Sequence, residues 1–351
     1  MQNKIPENKG FGSSFSFVAH DSKLLKTFPN HFKPKNTELF YSGRHAIKYV
    51  IDTIALEQDI TTFWIPEYYC QHVAKWLITN YKNIKTYPVN PLNNNDLIEG
   101  DKFMQPNDVI LINNFWGVSQ CNFQCSTKQI TVIEDHSHGW LSNACKNSTA
   151  DFCIASLRKS VPAPLGGIAW KPNGDKLKNI KLSTLNTFNE IWNTIDGSMA
   201  MKTKYENTGF KNETLKNDFL KLVYEAENIM HHNFDLAALN NSHENVINNY
   251  LKIDYLKFKE KNFNTLLNAL NSSNAFKIVT NNSTPFGLTL HFNDFSVMSS
   301  FKNYLVKNNI YPSLLWPDNI TDYGYFLNIH IDYRYSEIEM KHISNIINNY
   351  I

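Results

Sequence analysis

The sequence predicts an α/β protein, with a mostly parallel central sheet in a large domain and a smaller α+β domain at the C-terminus. Its 351 residues are too many for one small core and suit one large domain plus a smaller one. After about residue 175 the sequence becomes rich in Lys and Asn and acquires helical spacing. Before that point lie four near-continuous apolar runs: 108–117, 130–138, 150–159 and 166–171.

The first third of the chain has clear local signals. Residues 1–35 are polar, contain Gly and Ser, and show weak periodicity, so we expect an N-terminal arm. The segment SGRHAIKYVIDTIALEQ starts at Ser42 and has apolar residues at helical spacing, which predicts a helix. TTFWIPEYYCQHVAKWLITN predicts a short strand, a proline-marked turn and an amphipathic helix.

The four apolar runs lack polar alternation, which is typical of strands buried on both faces of a largely parallel sheet. We assign residues 36–240 to the large domain. Further helices are predicted over three segments: 217–232, 248–270 and 297–309. Strand-like segments return at 286–292, 311–316 and 325–331. These segments predict a small α+β domain over residues 241–351, after a boundary near 235–250.

Composition narrows the functional classes. The net charge of +2 is spread over isolated lysines, so we expect no nucleic-acid partner. No apolar run has membrane-spanning length, and no basic-then-apolar leader opens the chain, so no membrane association is expected. The five cysteines have no zinc-finger spacing and are odd in number, which favours reduced thiols in the cytoplasm.

Polar residues follow two of the predicted strands. Asp135 and His138 close one strand, and Ser156 and Lys159 close another. In open α/β sheets, functional groups gather beyond the carboxyl ends of the strands. Pyridoxal phosphate (PLP) needs a lysine that binds it as a Schiff base and a carboxylate that keeps its pyridine nitrogen protonated. This pair of strand ends offers both.

The phosphate of such a cofactor needs small donors and the N–H groups of a helix N-terminus. Ser42-Gly43-Arg44 opens a predicted helix, and Ser156 adds a hydroxyl. The chain has 34 basic residues, of which three are arginines, so each arginine can mark a place where a planar bidentate donor is needed. The three are Arg44, Arg158 and Arg334.

From about residue 40 to the C-terminus, the chain resembles the DegT–StrS family of PLP-dependent sugar aminotransferases. This family is a branch of the fold-type-I, aspartate aminotransferase-like enzymes. Further similarity appears towards the C-terminus in EKNFNTLLNAL, NIYPSLLW and NIHIDYRYSEIEM (260–270, 309–316 and 328–340). Three family motifs carry most of the resemblance: the Ser-Gly-Thr-x-Ala-Leu phosphate segment, the Glu-Asp-x-x-Gln/His strand end, and the Asp…Ser…Lys…Gly-Gly segment. The similar residues here are, in that order, Ser42-Gly43-Arg44-His45-Ala46-Ile47, Glu134-Asp135-His136-Ser137-His138, and Asp151, Ser156 and Lys159 with Gly166-Gly167.

The resemblance implies a role for each residue around the cofactor ring. Lys159 forms the Schiff base and, as a free amine, moves the proton between substrate and cofactor. Asp135 pairs with the pyridinium nitrogen, and His138 lies near the ring. The position that usually stacks an aromatic side chain on the ring falls at Cys70, so we expect its neighbour Tyr69 to stack there.

The resemblance also implies a phosphate site made of Ser156 and the backbone of Gly43 and Arg44. Arg44 replaces the usual Thr, and its guanidinium can still bind phosphate. The serine and lysine are three residues apart, whereas the family often has five. Leu165 stands where an acid often precedes the glycine pair. Arg334 either binds an acidic group of the substrate or donor, or ties the small domain to the large one.

The activity implied by the resemblance is transfer of an amino group from an amino acid such as glutamate to a nucleotide-linked keto-sugar, in polysaccharide or related sugar biosynthesis. A homodimer with shared active sites is implied as well. One alternative is a PLP-dependent sugar dehydratase, which typically has a histidine where Lys159 stands. A second is a non-catalytic relative that binds a nucleotide sugar, which the unusual Arg44, Leu165 and Cys70 keep open.

Simpler interpretations exist for some of these residues. Asp135 could be a helix N-cap, a common role for Asp after a strand. Asp135, His136 and His138 could bind a metal, but on a continuing strand the two histidines share a face that excludes Asp135. We therefore expect no metal. His231, near the end of a helical stretch, suits the helix dipole, and no functional role is expected for it.

Overall fold

The computed structural model describes residues 5–19, 22, 27–93, 96–120, 122–280, 283, 285–315 and 320–350. The strands are β1 (Glu38–Phe40), β2 (Phe63–Pro66), β3 (Ile84–Tyr87), β4 (Ile98–Glu99), β5 (Val109–Asn113), β6 (Phe123–Gln124), β7 (Thr131–Asp135), β8 (Phe152–Ser156), β9 (Gly167–Trp170), β10 (Lys277–Val279), β11 (Leu288–Phe292), β12 (Ser313–Leu314) and β13 (Tyr325–Ile329). The helices are α1 (Gly43–Ala55), α2 (Gln71–Asn80), α3 (Asn143–Lys146), α4 (Asn186–Asn207), α5 (Glu213–His232), α6 (Asn241–Tyr250), α7 (Tyr255–Ala269), α8 (Phe295–Lys307) and α9 (Glu337–Asn348).

The large sheet has the strand order β1-β9-β8-β7-β5-β2-β3. Strand β9 is antiparallel to both of its neighbours, while β8, β7, β5, β2 and β3 run parallel. The apolar runs explain this arrangement, because every residue of β5 and β9 is buried. Parallel pairing brings the carboxyl ends of β5, β7 and β8 to one edge, and Asn113 is the register partner of Asp135.

Helices cover the large sheet. On one face, Val50 and Ile54 of α1 pack with Ile133 of β7 and Ile154 of β8. On the other face, Phe188 and Ile191 of α4 belong to a core cluster that also contains Cys153 and Trp170. Helix α1 begins where its sequence predicts, since the side chain of Ser42 accepts a hydrogen bond from the N–H of His45.

The second sheet is antiparallel, with the order β10-β11-β13-β12. Its core joins Leu290 of β11 and Leu327 of β13 to Phe301 of α8 and Ile343 of α9. A mostly parallel sheet followed by an antiparallel sheet with helices is the architecture that the sequence predicted. No helix among the described residues is both long and apolar enough to cross a membrane.

The segment 248–270, predicted as one helix, is divided between α6 and α7. Asp254 interrupts it, because its side chain accepts a hydrogen bond from the N–H of Leu256 and so caps the start of α7. Ile247 and Tyr250 of α6 pack in the same core cluster as α4. The boundary at residues 240/241 stays a prediction.

Candidate active site

A cavity opens at the carboxyl ends of β5, β7 and β8, beside the first turn of α1. The sequence placed seven residues in a cofactor site, and six of them line this cavity. The seventh, His138, contacts one of the six. The residues that line it include Ser42, Gly43, Arg44, Tyr69, Asn113, Asp135, Ser137, Ser156, Arg158, Lys159, Glu227 and His231.

The first turn of α1 forms one end of the cavity. The first N–H groups of a helix have no acceptor within the helix. Ser42 accepts from those of His45 and Ala46. No described residue accepts from the N–H groups of Gly43 and Arg44, so these two can serve a ligand. A Cβ atom on Gly43 would lie 2.9 Å from the Cβ of Ser156, so only glycine allows α1 to approach β8 this closely. This end of the cavity suits a phosphate group.

The carboxylate of Asp135 lies deep in the cavity with only 5% of its surface exposed. Its Oδ2 accepts a 2.5 Å hydrogen bond from the Tyr69 hydroxyl, and its Oδ1 accepts a 2.8 Å bond from the N–H of Ser137. The Ser137 hydroxyl accepts a bond from the N–H of Ser156. Burial first, and then the charge of Asp135, raise the pKa of Tyr69 well above its usual range, so Tyr69 remains a donor.

Lys159 and His138 form a hydrogen-bonded pair, with 3.1 Å between Nζ and Nε2. Burial, and then the charge of Lys159, hold the pKa of His138 well below its ordinary value. His138 is therefore neutral at neutral pH, and its Nε2 accepts from the lysine. The His138 ring stacks on Phe286 at 4.5 Å, and Lys259 lies 4.7 Å from the centre of the same Phe286 ring. Burial lowers the pKa of Lys259 to about 8.

The side wall of the cavity carries three polar residues that the sequence did not assign, Arg158, Glu227 and His231, beside the assigned Arg44. The Arg44 guanidinium donates to Nδ1 of His231 at 2.7 Å, and Arg158 is ion-paired with Glu227. Burial, followed by the charge of Arg44, lowers the pKa of His231 to about 4, so His231 is a neutral acceptor. Glu227 and His231 are four residues apart and share one face of α5.

Sequence reasoning missed these wall residues for different reasons. One indication of a role for Arg158 was visible in the sequence, because it is one of only three arginines in the chain. Glu227 and His231 had only their spacing on a helix, which is common on solvated surfaces. Asn113 was missed as well, although it lies inside the predicted run 108–117, and the structure ends β5 at this residue. Its buried Nδ2 makes no hydrogen bond with any described residue, so it can donate to a ligand in the cavity.

Arg334 does not line this cavity. It binds both carboxylate oxygens of Asp332, with Nε 2.7 Å from Oδ1 and Nη2 2.6 Å from Oδ2. It also donates to the carbonyl of Ser14, and its guanidinium lies 4.4 Å from the centre of the Phe15 ring. Burial opposes ionisation of Asp332, but Arg334 lowers its pKa to about 2. These contacts tie the C-terminal part of the chain to the N-terminal arm, in line with the tying role that the sequence left open, and the substrate-binding role of Arg334 stays a prediction.

The donor set of the cavity fits PLP. A buried carboxylate, a lysine amine and a helix N-terminus with an arginine lie around one space, as the pyridine nitrogen, the aldehyde and the phosphate require. The unsatisfied amide of Asn113 and the close approach at Gly43 are independent signs of a site shaped for a ligand.

No family model matches the sequence, and no curated protein matches it in sequence. Solved structures do match the fold. The sugar aminotransferase CalS13 from Micromonospora echinospora superposes with a TM-score of 0.59 at 11% identity, covering 97% of this chain and 99% of that chain. The putative sugar aminotransferase Spr1654 from Streptococcus pneumoniae, in its PMP form, gives 0.58 at 11% identity, covering 97% of each chain.

Serine palmitoyltransferase from Sphingomonas wittichii gives a TM-score of 0.54 at 13% identity, covering 89% of this chain and 71% of that chain. The fold is therefore that of the fold-type-I PLP-dependent transferases, which confirms the predicted fold class. The structures that share it include sugar aminotransferases, as the resemblance of the three motifs predicted.

Proposed function

We propose that the protein is a PLP-dependent aminotransferase that moves an amino group from an amino acid, glutamate in the first instance, to a nucleotide-linked keto-sugar. The observation that carries this proposal is that Asp135 and Lys159 line one cavity with the N-terminus of α1. The fold, shared with sugar aminotransferases over nearly the whole chain, supports the reaction type.

In this proposal each residue of the cavity has a binding role. The N–H groups of Gly43 and Arg44, the Arg44 guanidinium and Ser156 bind the phosphate. Asp135 faces the pyridine nitrogen, and the donors on its two oxygens keep the carboxylate oriented. Asn113 offers its amide N–H to the ring. Tyr69, expected from the sequence to stack on the ring, also contributes its hydroxyl to Asp135.

When bound, PLP supplies an electron sink that stabilises negative charge on the carbon that carries the amino group. The proton removed from that carbon needs a base nearby, and Lys159 Nζ is the amine in the cavity that can hold it. His138 is neutral and accepts a hydrogen bond from that amine, so it orients Nζ and can share its proton. The lysine is thereby kept in one position.

The acidic groups of the two substrates need positively charged side chains to bind them. Arg158 lines the cavity wall, as does Arg44, the proposed phosphate ligand. Arg158 is held by Glu227, and we propose that it exchanges this partner for a substrate carboxylate or phosphate.

The proposed active form is a homodimer in which the partner subunit completes the substrate side of the cavity. Synthesis of a surface polysaccharide or a related sugar is the proposed context.

The test begins with absorbance. Purified protein incubated with PLP should bind it with visible absorbance that Lys159→Ala abolishes. The exposed Lys176→Ala is the matched control and should retain the absorbance. A wild-type protein that stays colourless in a PLP titration would end the proposal.

Transfer is tested with ¹⁵N-glutamate and a panel of nucleotide-linked keto-sugars. Label in the sugar product supports amination, whereas loss of a hydroxyl without label indicates the dehydratase alternative.

A further inference from the structure

A second cluster of reactive side chains lies on the opposite face of β7 from Asp135. Successive residues of a strand point to opposite faces, so Glu134 and His136 point away from the cavity. Cys153 is the register partner of Glu134 on the adjacent β8 and lies on the same face. One ligand atom from each of Glu134, His136 and Cys153 lies within 4.8 Å of the other two.

Two polar atoms of this cluster, on Glu134 and His136, are buried and incompletely satisfied, whereas the Cys153 thiol lies 3.1 Å from the hydroxyl of Ser148. His136 and Cys153 are fully buried, and Glu134 is 6% exposed. His136 Nε2 and Glu134 Oε2 lie 2.9 Å apart, but neither atom makes a hydrogen bond of acceptable geometry with a described residue. Buried polar atoms of this kind almost always have a partner. A carboxylate, an imidazole and a thiol within 4.8 Å of one another are the types of donor that bind a transition-metal ion.

We propose that Glu134, His136 and Cys153 bind one Zn²⁺ ion, with a fourth position left for water or a further ligand. A mixed set of oxygen, nitrogen and sulfur donors favours zinc or cobalt over magnesium or calcium. Glu134 also lines a cavity of about 480 Å³ on this face, which gives an ion a route to the site. The ion would link β7 to β8, the strands that carry Asp135 and Ser156. Its role is structural.

The surroundings of His136 can supply the tautomer that a metal needs. Its ring stacks beside Trp170, with 6.0 Å between ring centres, which fixes its plane. Nδ1 lies 3.3 Å from the amide of Asn114, whose Oδ1 makes no hydrogen bond with a described residue. If the side-chain amide of Asn114 is rotated by 180°, its Oδ1 accepts a hydrogen bond from a protonated Nδ1 of His136. The Nε2 atom of His136 is then deprotonated and can bind the ion. Hydrogen bonds of this kind orient histidine ligands in metal sites.

The experiment uses the full chain as purified and after dialysis against a chelator, without added PLP. Co²⁺ titration should give one equivalent of tightly bound ion per chain, with thiolate-to-cobalt absorbance in the near ultraviolet and tetrahedral bands in the visible. Zn²⁺ should displace it. Cys153→Ser should weaken Co²⁺ binding by at least tenfold and abolish the thiolate band, and His136→Ala should weaken the binding by at least tenfold. Cys125→Ser, which alters a thiol outside the cluster, should change neither.

Three outcomes would overturn the site. The first is a wild-type chain that shows neither the cobalt bands nor a rise in melting temperature with either ion. The second is binding that Cys153→Ser leaves unchanged. The third concerns Glu134→Gln, which keeps the side-chain shape if other variants fold poorly. If the melting temperature of this variant lies below that of the wild type by the same amount with and without Zn²⁺, then Glu134 and His136 form only an ion pair. None of these outcomes depends on PLP, so the proposed aminotransferase stands or fails separately.

Discussion

Buried His45 makes the fold sensitive to mild acid. It lies in the first turn of α1, is 2% exposed, and its Nδ1 lies 3.1 Å from the Ser42 hydroxyl. Burial, followed by the charge of Arg44, lowers its pKa from 6.5 to about 3. The unfolded chain therefore binds a proton between pH 6.5 and 3 that the folded chain excludes. Stability is retained above pH 6.5 and is lost progressively as the pH falls towards 3.

The size of this effect follows from linkage. With pKa values of 6.5 unfolded and about 3 folded, His45 costs about 2 kcal/mol of unfolding free energy when the pH drops from 7.5 to 5. The slope approaches about 1.4 kcal/mol per pH unit. His45→Asn removes the titrating group but keeps a polar atom for Ser42. The variant can be less stable at every pH, yet its loss between pH 7.5 and 5 should be about 2 kcal/mol smaller.

Urea unfolding at half-unit pH steps, followed by circular dichroism, measures this difference directly. Other buried histidines titrate equally in the wild type and the variant, so they cancel when the two acid losses are subtracted. His232→Asn removes an exposed histidine and should reproduce the wild-type pH dependence. Parallel curves for wild type and His45→Asn from pH 7.5 to 5 would refute the assignment of a buried neutral histidine.

Three further substitutions test the site and its supports. Tyr69→Phe removes a buried bond to a carboxylate and should lower the unfolding free energy by about 1.5–3 kcal/mol, whereas exposed Tyr224→Phe should have no measurable effect in the same urea assay. Gly43→Ala forces α1 away from β8 and should weaken PLP binding about tenfold in an absorbance titration, with unchanged affinity contradicting the phosphate site. Arg334→Met leaves Asp332 buried without its partner and should cost about 3–5 kcal/mol in calorimetry, yet the absorbance of bound PLP should persist.

Much of the fold could be predicted because its signals are local. The capping serine, helical spacing and apolar runs define α1, β5, β7, β8 and β9 without reference to the rest of the chain. The helix break before α7 was missed, because apolar spacing continues through it and Asp254 acts as a cap only once the chain turns there. Single-residue caps compete weakly with periodicity in a sequence.

The candidate site was predictable only in part. Asp135 and Ser156 end β7 and β8, and Lys159 follows β8, so their positions could be inferred from a parallel sheet. Glu227 and His231 reach the cavity from α5, and nothing in a helix sequence indicates which face meets a distant strand end. For Arg334 the sequence left two roles open, a substrate ligand and a tie between parts of the fold. Its contacts with Asp332 and the carbonyl of Ser14 correspond to a tie, which runs to the N-terminal arm, and the substrate role stays a prediction.

Strand β7 links the two proposed sites, because alternate residues serve opposite faces. Asp135 faces the cavity, while Glu134 and His136 face the proposed metal site. The Ser137 hydroxyl accepts the N–H of Ser156 beside the cavity, and Cys153 joins β8 to β7 on the other face. An ion bound on one face should therefore restrain the spacing of the cofactor residues on the other. Removal of that ion should weaken PLP binding while leaving Lys159 able to react. A metal-free protein with unaltered PLP affinity would show that the two faces act independently.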